Sequence, residues 1–194
     1  MTERIAILIS GRGTNMEAIF DRIASGDLDA SVAFVASDSQ AAAGLNKASS
    51  RGIPAHVLPY DRGKAEGERD LLSLCRENAV TWIVLAGFMR ILSPDFVSRF
   101  LHRIVNIHPA LLPAFRGAHA IEDAWKAGVR LTGVTVHLVD SGTDTGPILA
   151  QRAVPVHDDD TPETLEERIH GTEHDLYWNT LRGLFSGGLK PLSR

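Results

Sequence analysis

The strongest constraint on this chain is an alternation that runs through its first half. Short apolar runs, each the length of one buried strand, are separated by stretches with helical spacing. "RIAILIS" (Arg4 to Ser10) is the first run, and Met16, Ile19, Phe20 and Ile23 then recur at helical intervals until "SGD" closes the helix near Gly26. "SVAFVAS" (Ser31 to Ser37) predicts a second strand. "AAAGLNKASSRG" suits a helix ending at Gly52, and "AHVL" (Ala55 to Leu58) a third strand. Leu71, Leu72, Leu74 and Cys75 mark another helix, and "WIVLAG" (Trp82 to Gly87) a fourth strand. Strands alternating with helices need crossover connections, which make a mostly parallel sheet with helices on both faces.

The second half changes character. "IVNIH" is stopped by Pro109, and a helix is expected around "AIEDAWKAG". "LTGVTVHLV" and "GPILAQRAVPV" then read as a β-hairpin across the turn-rich "DSGTDTG". A long last helix begins at "TPETLEERIH", with Thr161 as N-cap, Pro162 at N1 and Gly187–Gly188 as its stop. With 44% hydrophobic and 23% charged residues the balance is that of a globular domain. One Rossmann-like α/β domain is expected over residues 1–194, with a phosphate-binding half over roughly 1–100 and a catalytic half over roughly 101–194.

Charge and cysteine content narrow the class. A net charge of −4 argues against a protein devoted to nucleic acid. The lone Cys75 excludes an internal disulfide, and no run reaches the ~18 apolar residues of a membrane span. The start "MTERIAILIS" has too short an apolar run for a signal peptide, so a cytoplasmic protein without a membrane partner is expected.

Three places carry chemistry. "ISGRGTN" puts Gly11, Arg12, Gly13, Thr14 and Asn15 between a strand and a helix, where free N–H groups and the helix dipole suit a phosphate. Thr14 and Asn15 are expected to cap and hydrogen-bond there, while the bland alternative is a tight turn that binds nothing. A dinucleotide is a weaker reading, although Asp38 lies at a suggestive distance, because Met16 stands where the third glycine of that fingerprint belongs. Asn106 and His108, two residues apart on one strand, point to the same face, and an amide with an imidazole can polarise a carbonyl. In "DSGTDTG" either Asp140 or Asp144 can supply a carboxylate that raises the His108 pKa, and spacing does not separate them. His170 and His174 form an i, i+4 pair without a third metal ligand in register, so no metal is expected. His119 can be structural or functional, and His137 is expected to pack or hydrogen-bond behind the site.

Taken together, "SGRGTN", "LAGFMRILSP", "NIHPALLP", "TGVTVHLVDSGTDTGPILAQ" and "EERIHGTEH" resemble the glycinamide ribonucleotide (GAR) formyltransferase family over nearly the whole chain. The resemblance implies formyl transfer from 10-formyltetrahydrofolate to the glycyl amine of GAR. It implies that Gly11 to Asn15 hold the ribose phosphate and that Met89, Arg90, Ile91 and Leu92 hold the folate pteridine, largely through backbone groups. It further implies that Lys64 contacts folate, that His170 and Glu173 lie beside the glycinamide end, and that Asn106, His108 and Asp144 are the catalytic trio, Asn106 also facing the folate. The Leu112–Pro113 bond resembles one that is cis in the family, and Ala110 stands where the family usually has serine. GAR and folate are the implied partners of a monomer or homodimer. Methionyl-tRNA formyltransferases and formyltetrahydrofolate deformylases share the trio but carry an additional domain, and a nucleotide-binding module without chemistry is the rival from another class.

Overall fold

The computed structural model describes residues 2–190. They cluster as two compact units, one up to Val105 and one from Asn106 onward.

In the first unit β1 (Glu3–Ile9) carries the fold. Its Ile5, Ala6, Ile7, Leu8 and Ile9 are all fully buried, which explains a continuous apolar run where a one-sided strand would alternate. It pairs in parallel with β2 (Ala30–Ser37), Ile9 opposite Ser37, and β2 pairs in parallel with β3 (Ala55–Val57). On its other side lies β4 (Trp82–Leu85), also parallel, and the strand order runs β3-β2-β1-β4 and on to β5 (Ile104–His108). Strand order therefore reverses between β1 and β4. In open α/β sheets ligands bind outside the carboxyl ends of the strands at such a point.

The helices follow the sequence closely. They are α1 (Thr14–Ala24), α2 (Ala43–Ser50) and α3 (Lys64–Glu77), and Gly26 and Gly52 take left-handed φ just past the first two. A short α4 (Pro94–Arg99) and a 3-10 turn at Tyr60–Arg62 are additions to the sequence reading. Ser93 caps α4 by accepting the Phe96 N–H, and Phe96 and Val97 are its buried face.

The second unit is built from the end of β5, β6 (Leu131–Leu138) and β7 (Ile148–Pro155). The hairpin expected from sequence is present: β6 and β7 are antiparallel, Leu131 opposite Pro155, with an irregularity at Val136/His137. The helix α5 (Ala120–Lys126) and the 24-residue α6 (Pro162–Phe185) complete it. α6 buries Leu165, Ile169, Leu176, Tyr177 and Leu181 in one stripe and packs on β6 and β7. Thr161 caps it as expected, and Thr164 returns the bond to the Thr161 N–H.

Candidate active site

The end of β5 delivers two polar side chains into an apolar setting. His108 is 4% exposed, and Asn106 is half-buried on the same strand. Opposite them the β6–β7 connection turns at Asp144, whose φ of 52° is left-handed, a conformation that aspartate tolerates better than most residues. Asp144 Oδ2 lies 3.5 Å from His108 Nδ1, and Oδ1 lies 3.6 Å from His137 Nε2. Asp140 is resolved as the turn former: its Oδ1 accepts the Gly142 N–H and the Thr145 hydroxyl. Asp144 is the carboxylate that faces the histidines.

Backbone groups fix the rest of the geometry. His108 Nε2 is 2.8 Å from the Phe115 carbonyl, which can only accept, so Nε2 carries the hydrogen. The Gly117 N–H donates to Asp144 Oδ2 at 2.9 Å. His137 Nδ1 is 2.9 Å from the Leu138 carbonyl and donates to it by the same reasoning. Its Nε2 is 3.1 Å from Asn106 Nδ2 and accepts an amide hydrogen when the ring is neutral. His137 thus hydrogen-bonds Asn106 and borders Asp144, in line with the expectation that it packs or hydrogen-bonds behind the site. The contacts from Phe115 and Gly117 are main-chain ones that no side-chain pattern announces.

The electrostatics correct one expectation. Asp144 was expected to raise the His108 pKa, but the His108 pKa lies below its ordinary value. Burial is the largest cause, and the neighbouring His137 adds to it. The Phe115 carbonyl and Asp144 oppose it without overcoming it. Asp144 is held down at about 2, first by the His137 ring beside it, then by the Gly117 N–H and His108, against its burial. At neutral pH the resting site therefore pairs a carboxylate with a neutral imidazole.

Other expected residues of this unit lie on the helices. His170 Nε2 is 3.7 Å from Glu166 and 3.9 Å from Glu173 on α6, and Glu173 is buried. His119 is exposed and reaches Glu122 on its own helix. The Leu112–Pro113 bond is cis, and Ala110 is fully buried with its carbonyl accepting the Thr135 hydroxyl at 2.6 Å. No cluster of three metal-ligating side chains occurs among the described residues.

In the first unit the candidate residues sit beyond the carboxyl ends of β1 and β4. The loop 11–15 opens α1, but its N-cap is Gly13 with φ 72°, and no side chain caps the helix. This corrects the capping expected of Thr14, which is instead the first helical residue, while Asn15 is buried. Helix starts of this kind carry the positive end of the helix dipole, which favours an anion. Gly44 of α2 backs the loop: a Cβ there would lie 3.2 Å from the Gly11 carbonyl oxygen and 3.3 Å from Gly13 Cα, and would collide with Ile9. Met89 and Ile91 are 60% and 62% exposed, Leu92 is buried, and Arg90 pairs with Asp38. Lys64 opens α3 with its ammonium 4.0 Å from Glu68. No helix among the described residues is long and apolar enough to cross a membrane.

A mostly parallel sheet whose strand order reverses between β1 and β4 is shared with known proteins. The formyl transferase family model matches residues 3–181, and the chain belongs to that family. The phosphoribosylglycinamide formyltransferase of Bacillus subtilis is 40% identical over 94% of both chains. The human trifunctional purine biosynthetic protein adenosine-3 is 40% identical over 95% of this chain, which spans 18% of that longer protein. Among solved structures, the phosphoribosylglycinamide formyltransferase of Bacillus halodurans superposes with a TM-score of 0.92 at 44% identity, over 95% of this chain and 96% of its own. Glycinamide ribonucleotide transformylase 1 of Geobacillus kaustophilus gives 0.92 at 46%, over 95% and 99%.

Proposed function

We propose that this protein transfers the formyl group of 10-formyltetrahydrofolate to the glycyl amine of GAR, in purine biosynthesis. The observation that carries the reading is the meeting of Asn106, His108 and Asp144 in one buried cluster. The loop 11–15, with its uncapped first turn, suits a single ribose phosphate. The exposed apolar Met89 and Ile91 suit a flat heterocycle, and His170 with Glu173 suits the glycinamide end. Lys64, half exposed at the start of α3, would suit an acidic folate tail.

The residues act as follows. Asn106 spends one Nδ2 hydrogen on His137 and directs the other at the formyl oxygen. His108 Nε2–H, which rests on the Phe115 carbonyl, is the second donor to that oxygen as the amine adds to the carbon. Negative charge on the oxygen favours imidazolium, so a proton entering at Nδ1 is held against Asp144. The amine finally gives up one proton and the departing folate nitrogen takes one, so the sum needs no further reagent. His108 is suited to relay that proton because its resting pKa is depressed.

The test is formyl transfer from 10-formyltetrahydrofolate offered GAR, water alone or charged initiator tRNA. Product with GAR only is expected. Formate release without an acceptor would replace this reading with a deformylase, and consumption of the donor in no mixture would leave a binding module.

A further inference from the structure

Asp38 lies at a suggestive distance for a dinucleotide site that Met16 disfavours, and its surroundings give it another task. Its carboxylate is 8% exposed and both oxygens are engaged. Oδ1 accepts the Ser10 hydroxyl at 2.5 Å, and Oδ2 accepts Arg90 Nε at 2.6 Å. Ser10 Oγ in turn accepts the Met89 N–H at 2.8 Å, and the Ser10 N–H donates to the Gly87 carbonyl at 3.0 Å. The Arg90 guanidinium lies over the ring of the buried Tyr60, 5.5 Å from its centroid. The segment after β4 is irregular, and its Met89 and Ile91 side chains stand in solvent. Phe88 and Leu92 are buried on either side of these two residues and hold the ends of the segment. Between them one carboxylate grips the segment twice, directly through Arg90 and through Ser10 to the Met89 N–H.

We propose that Asp38 is a positioning residue for the formyl donor, holding the main chain of Met89 to Leu92 in the form that receives the folate heterocycle. This rests on the proposed function. A carboxylate is required because it accepts two charge-assisted or short bonds at once, and their directions set the Arg90 and Ser10 rotamers. Without it Arg90 loses its partner, and the segment must be ordered anew at each binding event, which weakens donor affinity and leaves the chemical step alone.

The experiment compares wild type, Asp38→Asn and Asp38→Ala by steady-state kinetics with 10-formyltetrahydrofolate and GAR, alongside thermal melting. For Asp38→Ala the donor KM is expected to rise about tenfold, the loss typical of a hydrogen bond to a charged group, with kcat and the KM for GAR within about twofold. Asp38→Asn, which keeps one acceptor, should fall between the two. An unchanged donor KM in Asp38→Ala overturns the proposal. So does a fall of kcat and melting temperature in which both KM values shift alike and Asn does no better than Ala, since that marks a purely structural residue. A wild type that transfers no formyl group to GAR refutes the functional reading itself, and the proposal with it.

Discussion

The two units prepare their sites by opposite means. Beyond β1 and β4 the loops present main chain, with a helix start uncapped by any side chain and apolar side chains held out in solvent. Beyond β5 and β6 side chains do the work, and they are buried: His108 and His137 are 4% and 2% exposed. Main chain binds through dipoles whose charge never changes, so it suits recognition at any pH. Buried imidazoles and carboxylates change protonation with their surroundings, so they suit a reaction in which charge develops. On the proposed function, binding and chemistry fall to different atoms and should be separable by mutation.

That contrast is open to direct attack. The largest effect is expected from His108→Asn or Asp144→Asn, which should cost about 100- to 1,000-fold in kcat while the KM for GAR changes little. Near-normal turnover in His108→Asn would break the contrast at its centre. A Gly13→Ala change acts on the other side. The φ of 72° and Met16 Cε 3.0 Å from the added Cβ should together cost about 1–3 kcal/mol of stability, read by urea denaturation, and raise the KM for GAR with kcat held. A fall in kcat alone would mean that the loop takes part in the chemistry.

Protonation gives a subtler test. The folded pKa of His108 lies below its unfolded value near 6.5, so below that pH the unfolded chain takes up a proton that the folded chain refuses. Stability should therefore decline as pH falls from about 6.5 toward the lower folded value. His108→Asn should flatten that part of a urea-midpoint profile. Asp144 has the same sign in a more acidic window: its contribution is complete above the unfolded value of 3.8 and lost as pH falls toward about 2. The smallest effect belongs to Lys64→Ala. With 4.0 Å to Glu68 and a half-exposed ammonium, its loss should leave stability within about 0.5 kcal/mol. A rise in donor KM with the same variant would show Lys64 in contact with the folate.

The sequence displayed what depends on side-chain spacing. β1, β2, β3 and β4 each fall within two residues of their expected ends, because strands buried among helices are nearly pure apolar runs. The six-residue α4 was missed although Ser93–Pro94 is a capping signal, since one and a half turns hold too few residues to show a period. That Asn106 and His108 sit two residues apart at the end of one strand was legible from the apolar run alone. Asp144 was not separable from Asp140, because only the fold of the turn decides which carboxylate looks inward. The direction of the His108 shift was missed for a related reason. A partner can be guessed from sequence, but the depth of burial that outweighs it cannot.

Gly44 carries a last consequence. It belongs to α2 and is buried behind the loop 11–15, which its backbone approaches too closely for any side chain to fit. In a library of variants selected for growth without added purines, position 44 should tolerate as little as the residues proposed to meet the phosphate. A map of intolerant positions would then draw the phosphate site one helix deeper than the substrate reaches. The depleted glycine would register the thickness of the wall, and the exposed Arg12 in front of it the face.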